Sequence, residues 1–141
     1  MAVNDLQELL TNMDPVLDDT RYVFCTFPDH QAVPDKPAQS PFATIQEAEG
    51  VTWIIAKDIA DQLQLHHEQS FCRITLNVHS SLTAVGLTAA VSTALAQSCI
   101  SANVVAAFHH DHIFVPHADA ESALSILKKL ASKPAGVSEH A

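Results

Sequence analysis

Hydrophobic residues recur at helical spacing at Leu6, Leu9, Leu10 and Met13, which predicts a helix over residues 4–13 capped by Asn4 or Asp5. Asp14-Pro15 ends it, and residues 21–27 (RYVFCTF) read as a strand. Pro28, Pro34, Pro37 and Pro41 then mark a long surface loop that returns through a short strand at 42–46. Glu49-Gly50 turns the chain into a strand at 51–56 (VTWIIA), and a helix follows at 57–65 with Ile59, Ala60 and Leu63 inward. The second half is more regular. Residues 71–79 alternate, with Phe71, Arg73, Thr75 and Asn77 on one side and Cys72, Ile74, Leu76 and Val78 on the other, the pattern of a half-buried strand. A helix at 83–97, capped by Ser80 or Ser81, carries Leu87, Val91 and Leu95 as its apolar row, with Gly86 and Ala90 beside it to permit close approach to a sheet. Strands at 102–108 and 112–116 are joined by a tight turn at His109–Asp111, and a last helix at 119–131 turns Ala120, Ala123, Leu124, Leu127 and Leu130 inward.

The order of elements suggests a duplication. TRYVFCTF (20–27) falls on SANVVAAF (101–108), each a strand ending in Phe, while Trp53-Ile54 falls on Phe114-Val115 and Asp58 on Asp119, each Asp opening a helix. Neither half owns four strands, so the two units are expected to share or exchange strands. The reading is an N-terminal unit at 1–68 and a C-terminal unit at 69–141, with helices 83–97 and 119–131 on one sheet face.

Charge narrows the partners. Residues 1–68 carry a net −9 and residues 69–141 a net zero, so no basic stripe exists to neutralise phosphates, and neither nucleic acid nor anionic membrane is an expected partner. The acidic start excludes an ordinary secretory signal, and no apolar run approaches the roughly 18–20 residues of a membrane span. Cys25, Cys72 and Cys99 are odd in number and widely spaced, which reads as three buried free thiols in a reducing compartment. A cytoplasmic location is expected.

The stretch VHSSLTAVGLTAAVS (78–92) carries the most chemistry: a strand stops, two serines turn the chain, and a helix begins. The free N–H groups and positive dipole end of that helix suit a carboxylate, and Gly86 removes a side chain where a ligand or a facing backbone comes close. Serine caps and a packing glycine would explain the same residues without a ligand. His109, His110 and His112 surround Asp111, with His117 soon after and His79 a candidate neighbour in space. An H-x-H pair can ligate zinc or copper, but no cysteine joins it at finger spacing, and hydrogen bonds within a hairpin turn explain it as well. No metal or other cofactor is expected. A hydrolase set of Ser80 or Ser81, a histidine and Asp111 is weakened by the lack of Gly-x-Ser-x-Gly, and three glycines provide no nucleotide-binding loop. Enzyme activity is therefore not expected.

Residues 71–116, with EGVTWIIA upstream, closely resemble a family of uncharacterised bacterial ACT-domain proteins. The likeness runs from Tyr22 to about Leu130, and V-H-S-S-L-x-A-V-G-L and H-D-H-I-F-V-P are its most specific blocks. It implies an α+β, ferredoxin-like fold of tandem βαββαβ units, an antiparallel sheet with helices on one face, and a regulatory role. ACT domains commonly bind an amino acid at an interface through the loop between a unit's first strand and first helix. Carried over, that loop is His79, Ser80, Ser81 and Leu82, leading into Val85 and Gly86; beside this set, Asn103 is expected to reach across from the neighbouring strand. The chain departs from the family in one respect, having His-Ser-Ser-Leu where many regulatory ACT domains open with Asp-x-Pro-Gly. The expected protein is an amino-acid sensor that forms a homodimer. The alternatives are a ligand-free interaction module that dimerises through sheet edges and a metal-dependent or hydrolytic enzyme.

Overall fold

The computed structural model describes residues 5–35, 40–79 and 85–132. Helix α1 (Leu6–Thr11) opens at Asp5, whose carboxylate accepts the Glu8 N–H at 3.2 Å. The chain then enters β1 (Pro15–Phe27), six residues longer at its start than the apolar run 21–27 predicts. Strands β2 (Ala43–Glu47) and β3 (Gly50–Ala56) follow the proline-rich loop and lead into α2 (Lys57–Gln62). The second half gives β4 (Phe71–Leu76), α3 (Leu87–Ala96), β5 (Asn103–Ala106), β6 (Asp111–Pro116) and α4 (Ala120–Ser132).

Packing divides these elements into two compact units: Asp19–Cys72 form one, and the residues up to Asp18 group with those from Arg73 onward. In the Asp19–Cys72 unit the strands lie in the order β2-β3-β1, both pairs antiparallel. Alternation along β1 sends Val23, Cys25 and Phe27 to the face shared with Val51, Trp53 and Ile55 of β3, and α2 closes this core with Ile59 and Ala60. Phe27 and Trp53 meet edge to face, their centroids 5.0 Å apart. On the opposite face Phe24 meets Phe71, at the start of β4, in the same way at 5.2 Å.

In the other unit the order is the start of β1, then β4, β6 and β5. β5 and β6 form the antiparallel hairpin expected at 102–116, with Asn103 opposite Phe114 and Ala106 opposite Asp111. The start of β1 takes the fourth strand position of a ferredoxin-like order, so this unit completes its sheet with a strand from the beginning of the chain. Helices α1, α3 and α4 pack together. Leu9 and Met13 from α1 and its exit, Leu87, Val91 and Leu95 from α3, and Ala120, Ala123 and Leu127 from α4 are buried with Ile74, Leu76, Ile113 and Val115 of the strands.

Two local expectations are corrected. Helix α3 starts at Leu87, not 83, and the residue in its N-cap position is Gly86; Ser80 and Ser81, the expected caps, lie outside the described residues. The thiols are not all buried: Cys25 and Cys72 are, whereas Cys99 is exposed. Cys99 has φ 59 and sits where α3 ends, between the Cys99 N–H bond to the Ala96 carbonyl and the Ile100 N–H bond to the Leu95 carbonyl. That is a left-handed helix stop of the Schellman type, and it turns the side chain at this position outward. Helix α2 stops in the same way, with Gln64 at φ 58 and Leu65 bonded back to Ala60.

Candidate functional site

The sequence-predicted site begins where β4 ends. Val78 is buried, His79 is exposed, and Ser80, Ser81 and Leu82 lie outside the described residues. The chain is described again at Val85, which is 83% exposed, and at Gly86. Gly86 adopts φ +105, a conformation that L side chains rarely take, and a Cβ there would stand 3.1 Å from Leu6 Cδ2 of α1. The close approach foreseen at this glycine is therefore to a side chain of α1. Among the described residues no side chain caps α3, and its first backbone bond runs from the Ala90 N–H to the Gly86 carbonyl. The N–H groups of Leu87, Thr88 and Ala89 precede that bond and have no acceptor within the helix.

Asn103 starts β5, and its Nδ2 donates to the Phe114 carbonyl at 3.1 Å across the hairpin. Its amide nitrogen is thus engaged in its own sheet. Among the described residues no hydrogen bond joins His79, Val85, Gly86 and Asn103 to one another.

Beside the loop stands a row of imidazoles that sequence spacing only partly announced. His79 lies 5.9 Å, ring centre to ring centre, from His109, which sits 6.4 Å from His110, and His110 sits 6.3 Å from His112. Phe108, 70% exposed, packs edge-on against His109. His79 thus joins the hairpin turn, which the Ala107 N–H closes onto the His110 carbonyl. His112 is 9% exposed, and its Nδ1 is 2.9 Å from Thr75 Oγ1. Burial, with the nearby charges of Arg73 and His110, lowers its pKa from 6.5 to about 4, so the ring is neutral at pH 7. Burial raises the Asp111 carboxyl above its ordinary value, against an opposing pull from His110. Arg73, next to Thr75 on the same strand face, donates from Nη2 to Asp18 Oδ2 at 2.6 Å. Among the described residues no three His, Cys, Asp or Glu side chains converge as a metal site would require. Nor is any helix among them long and apolar enough to cross a membrane.

Comparison with known proteins places this geometry in a family. Family models for ACT domains match residues 1–73 and residues 71–129. A search of the curated proteins found no match. Among solved structures, a protein of unknown function from Vibrio cholerae, described as a possible transport protein, is 44% identical with a TM-score of 0.79, the match covering 90% of this chain and 96% of that one. The ligand-free regulatory subunit of aspartate kinase from Thermus thermophilus is 13% identical with a TM-score of 0.59, covering 82% of this chain and 95% of that one. Escherichia coli aspartokinase III in complex with aspartate and ADP is 12% identical with a TM-score of 0.62, covering 84% of this chain and 33% of that one. These last two likenesses show the fold. With more than half its length under one ACT model and most of the rest under a second, the chain belongs to the ACT-domain family of ferredoxin-like regulatory modules.

Proposed function

We propose that this protein is a cytoplasmic regulatory sensor that binds an amino acid and is not itself an enzyme. The observation that carries the reading is the start of α3: a ten-residue helix whose first N–H groups are led by a left-handed Gly86 and receive no side-chain cap from the described residues. A carboxylate fits there, because orphan amides and the positive end of the helix dipole favour an anion. In this reading His79 and Val85 flank the ligand, Ser80 and Ser81 add hydroxyl contacts, Leu82 adds an apolar one, and Asn103 approaches from β5. Amino acids are the favoured class because aspartate accompanies the E. coli aspartokinase III structure, whose fold this chain shares.

Two further parts belong to the proposal. As repeats along the sequence the ACT-like units are 1–68 and 69–141, a division supported by the family matches, while in packing the residues up to Asp18 group with the second. The working form is a two-fold homodimer, since the outermost strands β2 and β5 leave backbone groups for another chain.

A thermal-shift screen of the twenty amino acids, followed by calorimetry, tests the function. A ligand at about a hundred times its dissociation constant stabilises the native state by roughly 2.7 kcal/mol. Binding must weaken in the Ser80→Ala, Ser81→Ala double variant beyond any fall in its baseline stability. No heat and no melting shift with any amino acid would overturn the sensor reading in favour of an interaction module. Light scattering that gives a monomer at high micromolar concentration would overturn the dimer.

A further inference from the structure

A cleft of amino-acid size lies within the Asp19–Cys72 unit. Its origin is the point where β3 leaves β1. The register of the two strands ends at Tyr22 opposite Ala56, after which β3 turns into α2 at Lys57 while β1 extends back through Arg21, Thr20 and Asp19. The gap is a cavity of about 430 Å³ lined by Asp19, Thr20, Arg21, Ala56, Lys57 and Asp58. That volume lies within the roughly 300–1,000 Å³ of small-molecule sites.

The charges of the lining are distributed in an informative way. Lys57 is committed to its own helix, its Nζ lying 2.8 Å from Asp61 Oδ2. Arg21 shares the lining with Asp19 and Asp58, yet among the described residues it forms a salt bridge with neither. It is also one of only three cations in a half of the chain that carries a net −9. An uncommitted guanidinium presents a planar fork for a carboxylate, while Asp19 and Asp58 present acceptors for an ammonium group. A simple anion would meet two carboxylates here and a simple cation would meet the arginine. A molecule carrying an ammonium and a carboxylate on one carbon offers a partner to each kind of charge in the lining.

We infer that this cleft binds the zwitterionic head of an α-amino acid, with Arg21 on the carboxylate and Asp19 and Asp58 on the ammonium. The inference shares its ligand class with the proposed function but uses different residues, so the two can fail separately.

The experiment is a residue-resolved amide NMR titration of the full chain with glycine, then with each of the other amino acids, and with acetate and methylammonium as half-ligands. Saturable shifts at Thr20, Arg21 and Asp58 with an amino acid, absent with either half-ligand at the same concentration, are expected. Arg21→Gln should weaken them at least about tenfold and Arg21→Lys less, because a single ammonium cannot reproduce the fork. Both variants alter an exposed side chain, and an otherwise unchanged spectrum establishes that they fold. Shifts confined to Val85, Gly86 and Leu87 would overturn the cleft and leave the loop site standing. Shifts at the cleft alone would support it and overturn the loop site. Shifts at neither, or an affinity unchanged in Arg21→Gln, would overturn the cleft.

Discussion

Leu6 of α1 and Gly86 ahead of α3 hold each other in place: the glycine leaves the space that the leucine methyls fill, and a Cβ on residue 86 would meet Leu6 Cδ2 at 3.1 Å. Gly86 is at φ +105, so an alanine there meets backbone strain as well as a crowded neighbour. Gly86→Ala should lower stability by about 1–3 kcal/mol, measured by urea denaturation. Gly50→Ala should cost more, since at φ +143 its Cβ would press on the Phe27 carbonyl oxygen, which cannot rotate away as a leucine side chain can. Equal or smaller loss at position 50 would contradict this account of both turns.

Stability should fall on mild acidification because of His112. Its folded-state pKa, about 4, lies below the ordinary 6.5, so between these values the unfolded chain takes up a proton that the folded chain refuses. The contribution is complete above about pH 6.5, declines as pH falls and is exhausted near pH 4, amounting to at most about 3 kcal/mol. Denaturant midpoints measured from pH 7 to pH 4 should therefore decline, and His112→Asn should flatten that slope. A slope identical in the variant would assign the acid sensitivity to other groups.

Thiol reactivity should separate the three cysteines. Cys99 is exposed, whereas Cys25 and Cys72 are buried and desolvation, aided by Asp61, holds the Cys25 thiol above its ordinary pKa. Titration of the native protein with a chromogenic disulfide should label one thiol rapidly and two others roughly a hundredfold more slowly or less, through local opening. Cys99→Ser should remove the fast phase. Two fast thiols would contradict the burial described here.

Much of the fold is legible wherever apolar periodicity is strong. Cys72, Ile74 and Leu76 mark β4, Leu87, Val91 and Leu95 mark the buried row of α3, and Ala120, Ala123 and Leu127 mark α4; each set is buried as its spacing implies. The start of β1 was not legible, because Asp18, Asp19 and Thr20 are polar and a strand there is sustained by neighbours, including the ion pair of Asp18 with Arg73 that joins residues 55 apart. The start of α3 is not legible because two serines after a strand satisfy the local rules for a cap, whereas a glycine at positive φ announces itself only through backbone geometry. Cys99 misled for a related reason: left-handed helix stops usually fall on glycine or asparagine, so a cysteine there gives no cue that it faces solvent. The meeting of His79 with the His109 turn depends on pairing distant segments, and spacing within either segment could only suggest it. The cleft at Arg21 left no motif at all, since it arises from the parting of two strands.

The unit that holds α1 is interrupted in sequence by the whole of the Asp19–Cys72 unit, and this has a consequence for synthesis. During synthesis Leu9, Met13 and the start of β1 emerge ahead of their partners on β4, α3 and α4, which come only after the intervening unit has emerged. The Asp19–Cys72 unit holds most of its contacts within one continuous segment and can condense while translation proceeds; the other must wait with its earliest apolar residues uncovered. Such delayed, long-range closure is slow and exposes chains to mispairing. The five acidic residues among the first nineteen then act as solubilising flanks for an apolar segment that has nothing to fold against until the last helix arrives.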